Sequence, residues 1–399
     1  MRTPVLLSAA CLLSVWLSVA PVAPVAAQTW EQAAGTAGIN MQCVLSAQGW
    51  DFGGGALGTF RSSDGGGSFE EANVGNTSMG PTRGFTSDET YVYKCTSNGV
   101  FRSGDNGAGW ESVATGLPQM LTHGMTATAG RVWVATQTGV FASDDQGMTW
   151  EGAGLDGLNV RCITAWEEVV FVGTIDEGLF KSEDGGASWE AINNGSTSNS
   201  FRAIEAHAGM VFAGGEIGTG VFRSQDMGAS WELLGGGLPM GSYRGFATDG
   251  EWIVAGSFMA GVFASSDGGD TWMEFNAGLG DLSIFDLCFN QDHLVAATNA
   301  SGIWRLPRTA LESTGMGEDV AARVWTLYPN PAGDVATLGG LPPAEPWWAQ
   351  LIGLDGRVVK EFNGEGDTRL SFAGLPCGTY LLRVTSESVG AQGIRVAIH

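Results

Sequence analysis

One short motif recurs six times, at nearly constant spacing, between residues 58 and 272 of this 399-residue chain. Each copy reads Ser-x-Asp-x-Gly, ends three residues later in Trp or Phe, and follows a Gly-x-aromatic segment. The motif aspartates are 39 to 42 residues apart and are Asp64, Asp105, Asp145, Asp184, Asp226 and Asp267. A repeat of about 40 residues with room for four short strands is typical of β-propeller blades. The repeat therefore predicts an all-β propeller over residues 28–306.

The number of blades follows from two counts that differ by one. The Gly-x-aromatic segment occurs seven times, beginning at Gly58, Gly99, Gly139, Gly178, Gly220, Gly261 and Gly302. The aromatic that closes a repeat follows only six of them, and Trp30 near the start of the chain supplies the seventh. We therefore expect seven blades, the last combining strands from residues 284–306 with a strand from residues 29–33. Such a closure removes the open sheet edge that invites aggregation.

The six motifs resemble the Asp-box, or bacterial neuraminidase repeat, family. Gly109 replaces the usual Ser or Thr in the second copy, and Phe69 replaces Trp in the first. The pattern fits a hairpin turn, in which the Asp carboxylate accepts backbone N–H groups and Gly allows positive φ. Each turn has too few carboxylates for a calcium cage. The six aspartates are therefore expected to be structural, and no metal or cofactor is predicted.

The N-terminus predicts export. Arg2 precedes an apolar run from Val5 to Ala20, and small residues at 25–27 suit a signal peptidase, so residues 1–27 are expected to be a signal peptide. No later stretch is long and apolar enough for a membrane-spanning helix. The 42 acidic residues outnumber the 19 basic ones, which argues against nucleic acid as a partner. The five cysteines left after cleavage are expected to be small core residues, with Cys43, Cys162 and Cys288 at one repeat position; a disulfide framework is the alternative.

After an expected linker at 307–324, the pattern changes. The tail carries a Pro-Asn-Pro segment at 329–331, an Asp-Gly-x-Val segment at 355–358 and a Gly-x-Tyr segment at 378–380. With these three motifs, it resembles the type A sorting domain of the type IX secretion system of Bacteroidota over about 75 residues. The matching positions are Pro329, Asn330, Pro331, Gly356, Gly378 and Tyr380. The resemblance implies a small Ig-like β-sandwich at 325–399, the type IX secretion machinery as a partner, and a secreted or cell-surface location. An ordinary Ig-like adhesion module is the alternative.

Aligning the seven repeats places a polar residue at the start of each inner strand. These residues are Gln42, Arg83, His123, Arg161, Arg202, Arg244 and Asp286. A ring of guanidinium groups in an acidic protein would bind anions such as uronic acids, sulfates or acidic protein segments. The alternative is that the ring side chains satisfy one another, with Asp286 pairing with Arg244. Backbone carbonyls around the channel are the other partners that these side chains could satisfy. We also expect Trp50, Asp51, Asp176, Glu177, Glu216, Phe258 and Met259 on this face.

Three functions compete. The first is a non-catalytic binding propeller for an anionic glycan or acidic protein, similar to the seven-bladed photosystem assembly factor family. The second is a glycoside hydrolase of sialidase-like or xyloglucanase-like type, although only Tyr243 lies near the ring and Phe201-Arg202 matches the sialidase segment loosely. The third is a passive structural or adhesion protein. A fold of this kind does not decide among them. We rank binding first and leave the question of catalysis open, with a glycoside hydrolase as the enzymatic alternative.

Overall fold

The computed structural model describes residues 29–76, 80–118, 121–128 and 130–315, and in the tail 326–328, 335–339, 346–352, 358–365, 368–376, 378–386 and 390–398. The signal peptide predicted at 1–27, the Pro329–Pro331 motif and Gly356 lie outside these residues. The chain divides into two compact units, with the boundary in the sequence between Leu311 and Glu312.

The first unit consists of seven four-stranded antiparallel sheets. The N-terminal strand is β1 (Glu31–Gln32). Blade one is β2 (Met41–Ala47), β3 (Trp50–Gly55), β4 (Gly58–Ser62) and β5 (Glu70–Glu71). Blade two is β6 (Thr82–Ser87), β7 (Val92–Thr96), β8 (Gly99–Ser103) and β9 (Glu111–Ser112). Blade three is β10 (Thr122–Thr128), β11 (Arg131–Thr136), β12 (Gly139–Ser143) and β13 (Glu151–Gly152).

The remaining blades follow the same order. Blade four is β14 (Val160–Trp166), β15 (Val169–Thr174), β16 (Leu179–Ser182) and β17 (Glu190–Ala191). Blade five is β18 (Phe201–His207), β19 (Met210–Gly215), β20 (Val221–Ser224) and β21 (Glu232–Leu233). Blade six is β22 (Ser242–Thr248), β23 (Ile253–Phe258), β24 (Gly261–Ser265) and β25 (Met273–Glu274). Blade seven is β26 (Ile284–Phe289), β27 (His293–Thr298) and β28 (Ile303–Pro307) with β1.

The predicted closure is confirmed. Strand β1 pairs antiparallel with β28, with Glu31 opposite Arg305. The innermost strands contact one another all the way round, and β26 of blade seven contacts β2 of blade one. The core lies between neighbouring sheets, where apolar side chains of adjacent blades form shared buried clusters. A seven-bladed, all-β propeller is therefore the fold of this unit.

The six motif turns connect the third and fourth strands of blades one to six. In every copy, the Asp Oδ1 accepts the N–H of the residue four positions later and the hydroxyl of the Ser two positions earlier. In five copies, a Ser or Thr hydroxyl also donates to Oδ2. These bonds lower the pKa of the carboxylates, to about 2 at Asp145. The aspartates therefore stabilise the turns by accepting hydrogen bonds from N–H and hydroxyl groups of the same turn.

The motif tryptophans join neighbouring blades. The indole Nε1 of Trp110 donates to the carbonyl of Ala72 in the preceding blade at 2.9 Å, and Trp150 does the same to Val113 at 2.6 Å. Trp189, Trp231 and Trp30 make the equivalent bond, whereas Trp272 donates to the carbonyl of Gly269 in its own turn. Because each indole is largely buried, it satisfies its donor and fills the gap between sheets at once.

Two details differ from the sequence-based expectation. Part of the predicted 307–324 linker is structured: Pro307 ends β28, and a helix α1 (Arg308–Gly315) follows, with Ala310 and Leu311 buried in the core of blade seven. Among the described cysteines, Cys43, Cys95, Cys162 and Cys288 are free thiols, as expected for small core residues. Cys288, however, does not share the repeat position of Cys43 and Cys162, because it lies two residues further along its strand.

The second unit contains two antiparallel sheets. The first is β29 (Thr326–Tyr328), β30 (Val335–Gly339) and β33 (Thr368–Ser371). The second is β31 (Pro346–Ile352), β32 (Val358–Glu365), β34 (Gly378–Ser386) and β35 (Gly390–Ile398). Leu338 and Leu370 of the first sheet share one buried cluster with Trp347 and Leu382 of the second. Two sheets on one core make a β-sandwich.

Candidate functional site

The start of each inner strand carries a β-bulge, and the bulged residues converge on the central channel. In each of the seven inner ladders, one residue near the start is skipped in the pairing. The skipped residues are Gln42, Arg83, His123, Arg161, Arg202, Arg244 and Phe285. A bulge re-aims its side chain out of the regular alternation. These seven side chains line one cavity of about 270 Å³, and we call them the arginine ring.

Six of the seven residues predicted for the ring lie there, and Asp286 does not. The bulge of blade seven falls at Phe285, so the ring takes an aromatic residue at this blade. Asp286 Oδ2 instead accepts the N–H of Val44 at 3.0 Å, and Oδ1 accepts the N–H of Leu287. The predicted alternative, an Asp286–Arg244 pair, is therefore wrong. The alignment failed because a polar residue was expected at every ring position.

Among the described residues, one carboxylate forms an ion pair with a ring arginine. Arg202 Nε lies 2.6 Å from Glu216 Oε1, which reaches in from the loop after β19. Arg161 Nη1 lies 3.2 Å from the Nδ1 atom of His123. Burial and the charge of Arg161 lower the pKa of His123 to about 3, so this imidazole is neutral at physiological pH. The imidazole therefore adds no charge, and Glu216 neutralises only Arg202.

Arg83 and Arg244 bind neutral groups. Arg83 Nε donates to the Ser97 hydroxyl at 3.3 Å. The Arg244 guanidinium lies between two rings, with its Cζ 3.8 Å from the Phe258 centroid and 4.7 Å from that of Phe285. Its Nε is buried without a hydrogen-bond partner. The two aromatic rings hold this guanidinium in place by cation–π contact without neutralising it.

The ring is electrostatically crowded. Burial, followed by repulsion from Arg202 and Arg83, lowers the pKa of Arg161 from its usual value. Burial and Arg202 act in the same direction on Arg244. An arginine stays charged even so. Repulsion among partly desolvated cations is relieved when an anion enters, so the ring can bind a carboxylate, sulfate or phosphate group.

Two acidic side chains lie further along the channel. Glu205 and Asp286 line a cavity of about 430 Å³ that opens from the ring. Burial, and to a smaller extent Asp286, raises the pKa of Glu205 to about 8, and burial raises that of Asp286 to about 7. At pH 7 Glu205 therefore holds its proton and Asp286 is about half ionised, so these two carboxyls compensate only part of the positive charge of the ring.

The surrounding loops were predicted in part correctly. Asp176, Glu177, Glu216, Phe258 and Met259 lie on or next to the loops between second and third strands, on the ring face. Trp50 and Asp51 do not, because they begin β3 and therefore lie at the opposite end of blade one. There the Arg61 guanidinium stacks on Trp50 at 4.9 Å. We call that end, which also carries the motif turns, the box face.

Tyr243 is not placed for catalysis. Its side chain is fully buried, and its hydroxyl donates to the carbonyl of Pro239 at 2.9 Å. Burial raises its pKa well above the ordinary value. A tyrosine in this state does not serve as an accessible nucleophile.

Sequence reasoning missed Phe285 and the role of Phe258. Phe285 is apolar at a position where a polar side chain was expected, and Phe258 was expected on the ring face but without its contact to Arg244. The available signal was an aromatic residue on each of two neighbouring blades, Phe258 of blade six and Phe285 of blade seven, beside Arg244 of blade six.

No protein-family model matches the chain, and no curated protein does either. Solved structures match in fold. PorZ, an essential bacterial surface component of the type IX secretion system of Porphyromonas gingivalis, is 16% identical; the match covers 92% of this chain and 60% of PorZ, with a TM-score of 0.55. YCF48 bound to D1 peptide is 14% identical, with 72% and 97% covered and a TM-score of 0.57.

An enzyme is also among the similar structures. The GH74 enzyme of Niastella koreensis is 16% identical, with 68% of this chain and 43% of the enzyme covered and a TM-score of 0.53. The chain thus spans less than two thirds of PorZ and less than half of this enzyme. At such identities the likeness shows the propeller fold alone. Within the described part of the chain, no helix has the length and apolarity to cross a membrane, and no group of three or more metal-binding side chains occurs.

Proposed function

We propose that this protein is an exported, non-catalytic binding propeller whose arginine ring recognises an anionic group of its ligand. The observation that supports this proposal is that the ten described arginines of the propeller differ in whether they have a carboxylate partner. Outside the ring, each has a carboxylate partner: Arg61, Arg102, Arg131, Arg223, Arg305 and Arg308. Within the ring, Arg202 pairs with Glu216. Arg83, Arg161 and Arg244 have no carboxylate partner among the described residues.

The contrast matters because the protein is strongly acidic. The formal net charge is −23, so carboxylates are abundant in this protein. Three arginines that line one cavity nevertheless have no carboxylate partner among the described residues. Placing like charges together costs free energy unless a counter-ion is bound. A ligand carboxylate that bridges two guanidinium groups would supply that counter-charge in a site that is shielded from water, where charge-assisted hydrogen bonds are strongest.

The direct test is calorimetry on the full chain with two anionic probes, a hexa-aspartate peptide and hexagalacturonate. We expect at least one probe to bind, and an Arg83→Gln, Arg161→Gln double variant to weaken binding at least tenfold. The matched control is an Arg61→Gln, Arg131→Gln double variant, which removes two arginines from the box face and should bind within about twofold of the parent. Equal loss in both variants, or no binding by the parent, would contradict the proposal.

The family and the tail complete the proposal. The six turns are those of an Asp-box protein, a conclusion that rests on the motif spacing and on the recurring contacts of the aspartates.

The tail is a type IX sorting domain, supported by its sequence motifs and by the sandwich of β29 to β35, in which the Tyr380 hydroxyl donates to the carbonyl of Pro376. Fusing residues 325–399 and the leader 1–27 to a reporter enzyme tests the tail. The reporter should reach the surface or medium of a type IX-competent bacterium, and remain periplasmic with Gly378→Asp, Tyr380→Asp.

A further inference from the structure

The exposed apolar side chains of the propeller are unevenly distributed, and four of them lie beside one sector of the arginine ring. Ile217, Met240, Met259 and Leu282 are 75%, 59%, 71% and 41% exposed. Each lies on a loop of the ring face, between β19 and β20, before β22, between β23 and β24, and before β26. We call these four side chains the apolar crescent.

The loops of the crescent are tied together by backbone hydrogen bonds. The N–H of Gly220, next to Ile217 in blade five, donates to the carbonyl of Gly241, beside Met240. The N–H of Met259 donates to the carbonyl of Leu282 at 3.1 Å. Ser242, two residues after Met240, pairs with Phe258, which precedes Met259, in the β22–β23 ladder, so the two linked pairs of loops are joined. The crescent is therefore a continuous rim over blades five to seven.

The crescent adjoins the arginine that the two phenylalanines hold. Phe258 precedes Met259 and stacks on Arg244, while Phe285 follows Leu282 by three residues and stacks on the same guanidinium. Met259 is also one of the non-glycine residues with a left-handed backbone, at φ 100. Holding a methionine in this conformation costs free energy, and such strain tends to occur at binding sites.

We propose that the partner of this face is a protein segment in which acidic and apolar side chains alternate, with a carboxylate on Arg244 and apolar side chains on the crescent. The inference rests on the proposed anion-binding function and names its ligand class. Two observations favour a peptide over a glycan. Sugars stack on exposed aromatic faces, but no Trp, Tyr or Phe of the described propeller is among its exposed large apolar residues. Flexible Met, Leu and Ile side chains suit a peptide instead.

The test compares three probes by fluorescence anisotropy on the full chain. The first is a labelled Asp-Leu-Glu-Leu-Asp-Leu peptide, the second replaces each Leu by Ser, and the third is labelled hexagalacturonate. We expect the leucine peptide to bind at least tenfold more tightly than the other two. An Ile217→Ser, Met259→Asn, Leu282→Ser variant should lose this advantage. The matched control is Met148→Ser, an exposed methionine on the box face, which should retain it.

The outcomes separate the two proposals. If both peptides bind equally and the Arg83→Gln, Arg161→Gln variant loses both, the anion site stands and the crescent inference falls. If hexagalacturonate binds most tightly, the ligand is a glycan and the inference also falls. If none of the three probes binds the parent protein, the anion site and the crescent inference fall together.

Discussion

The indole Nε1 of Trp30 donates a 2.6 Å hydrogen bond to the carbonyl of Phe275, a residue 245 positions later in the chain. The backbone of Trp30 adds a second bond, from its N–H to the carbonyl of Ala277. These contacts fix the N-terminal segment between blades six and seven, next to the strand that closes the ring. Trp30 precedes the six repeats in the sequence. In the fold, it occupies the position in blade seven that the motif aromatic residues occupy in the other blades.

Trp30→Phe should destabilise the propeller by about 1–3 kcal/mol, because the Phe275 carbonyl loses its donor and a small cavity forms. Chemical denaturation followed by far-UV circular dichroism measures this. Trp348→Phe is the control, since Trp348 is 41% exposed in the tail, and it should change stability by less than about 0.5 kcal/mol. A Trp30 variant as stable as the parent would show that the closure does not depend on this contact.

Gly109→Ser should stabilise the protein. The second motif lacks the hydroxyl that in five other copies bonds the Asp Oδ2, and a Cβ at Gly109 would lie 3.3 Å from Asp105 Oδ2. The serine would add that bond and reduce the entropy of the unfolded chain, for about 0.5–1.5 kcal/mol in total. Gly109→Ala provides only the second effect, so thermal unfolding should rank Ser above Ala and Ala above the parent. The reverse order would refute the role assigned to the hydroxyl.

Lys94 should make stability depend on pH. Its side chain is fully buried between blades one and two, where the ammonium donates to the Thr59 hydroxyl and lies 4.1 Å from the Trp110 ring centroid. Burial lowers its pKa from 10.5 to about 7. Above pH 7 the unfolded chain therefore holds a proton that the folded protein lacks. The contribution of Lys94 to stability thus rises with pH, by at most about 1.4 kcal/mol per unit.

Lys94→Met isolates this effect. The free energy of unfolding of the variant minus that of the parent should fall as pH rises from 7 to 9, and the variant should be the more stable protein at pH 7. This range stays at or below the ordinary pKa of 9.0 for the buried thiols of Cys43 and Cys95. A difference that does not vary with pH would mean that Lys94 remains charged in the fold.

Glu205 predicts the opposite dependence. Its folded pKa of about 8 exceeds the ordinary 4.5, so the folded protein holds a proton that the unfolded chain releases. The contribution of Glu205 is therefore complete below pH 4.5 and is lost as pH rises towards 8. Glu205→Gln should be progressively more stable than the parent between pH 5 and 8 in urea unfolding. Asp176→Asn, on an exposed loop, is the control and should show no such trend.

The fold could be predicted from the sequence because the same sequence pattern recurs in every blade. Seven Gly-x-aromatic segments and a displaced Trp30 specify both the number of blades and their closure, since each blade must present the same apolar faces to its neighbours. The 307–324 segment was harder, because the burial of Ala310 and Leu311 depends on the surface of blade seven and leaves no periodic signal over eight residues.

The site was predicted less completely, for a local reason. Six ring positions carry polar side chains, and the seventh was assigned to Asp286 when the bulge falls one residue earlier at Phe285. Adjacent residues point in different directions at a bulge, so a shift of one position exchanges a ring residue for one that caps a backbone N–H of the next blade. Whether a ring arginine has a carboxylate partner also depends on the conformation of loops such as that of Glu216. The spacing of the repeats does not predict this conformation.

The account's central claim is that the arginine ring is the ligand site, and locating a bound carboxylate tests it most directly. The full chain would be crystallised with a tetra-aspartate peptide carrying p-bromophenylalanine, and the bromine located by anomalous scattering. We predict the bromine over the ring face, with a peptide carboxylate within about 3 Å of the Arg161 or Arg83 guanidinium. Peptide bound only on the box face, with the ring filled by the protein's own carboxylates, would contradict the claim.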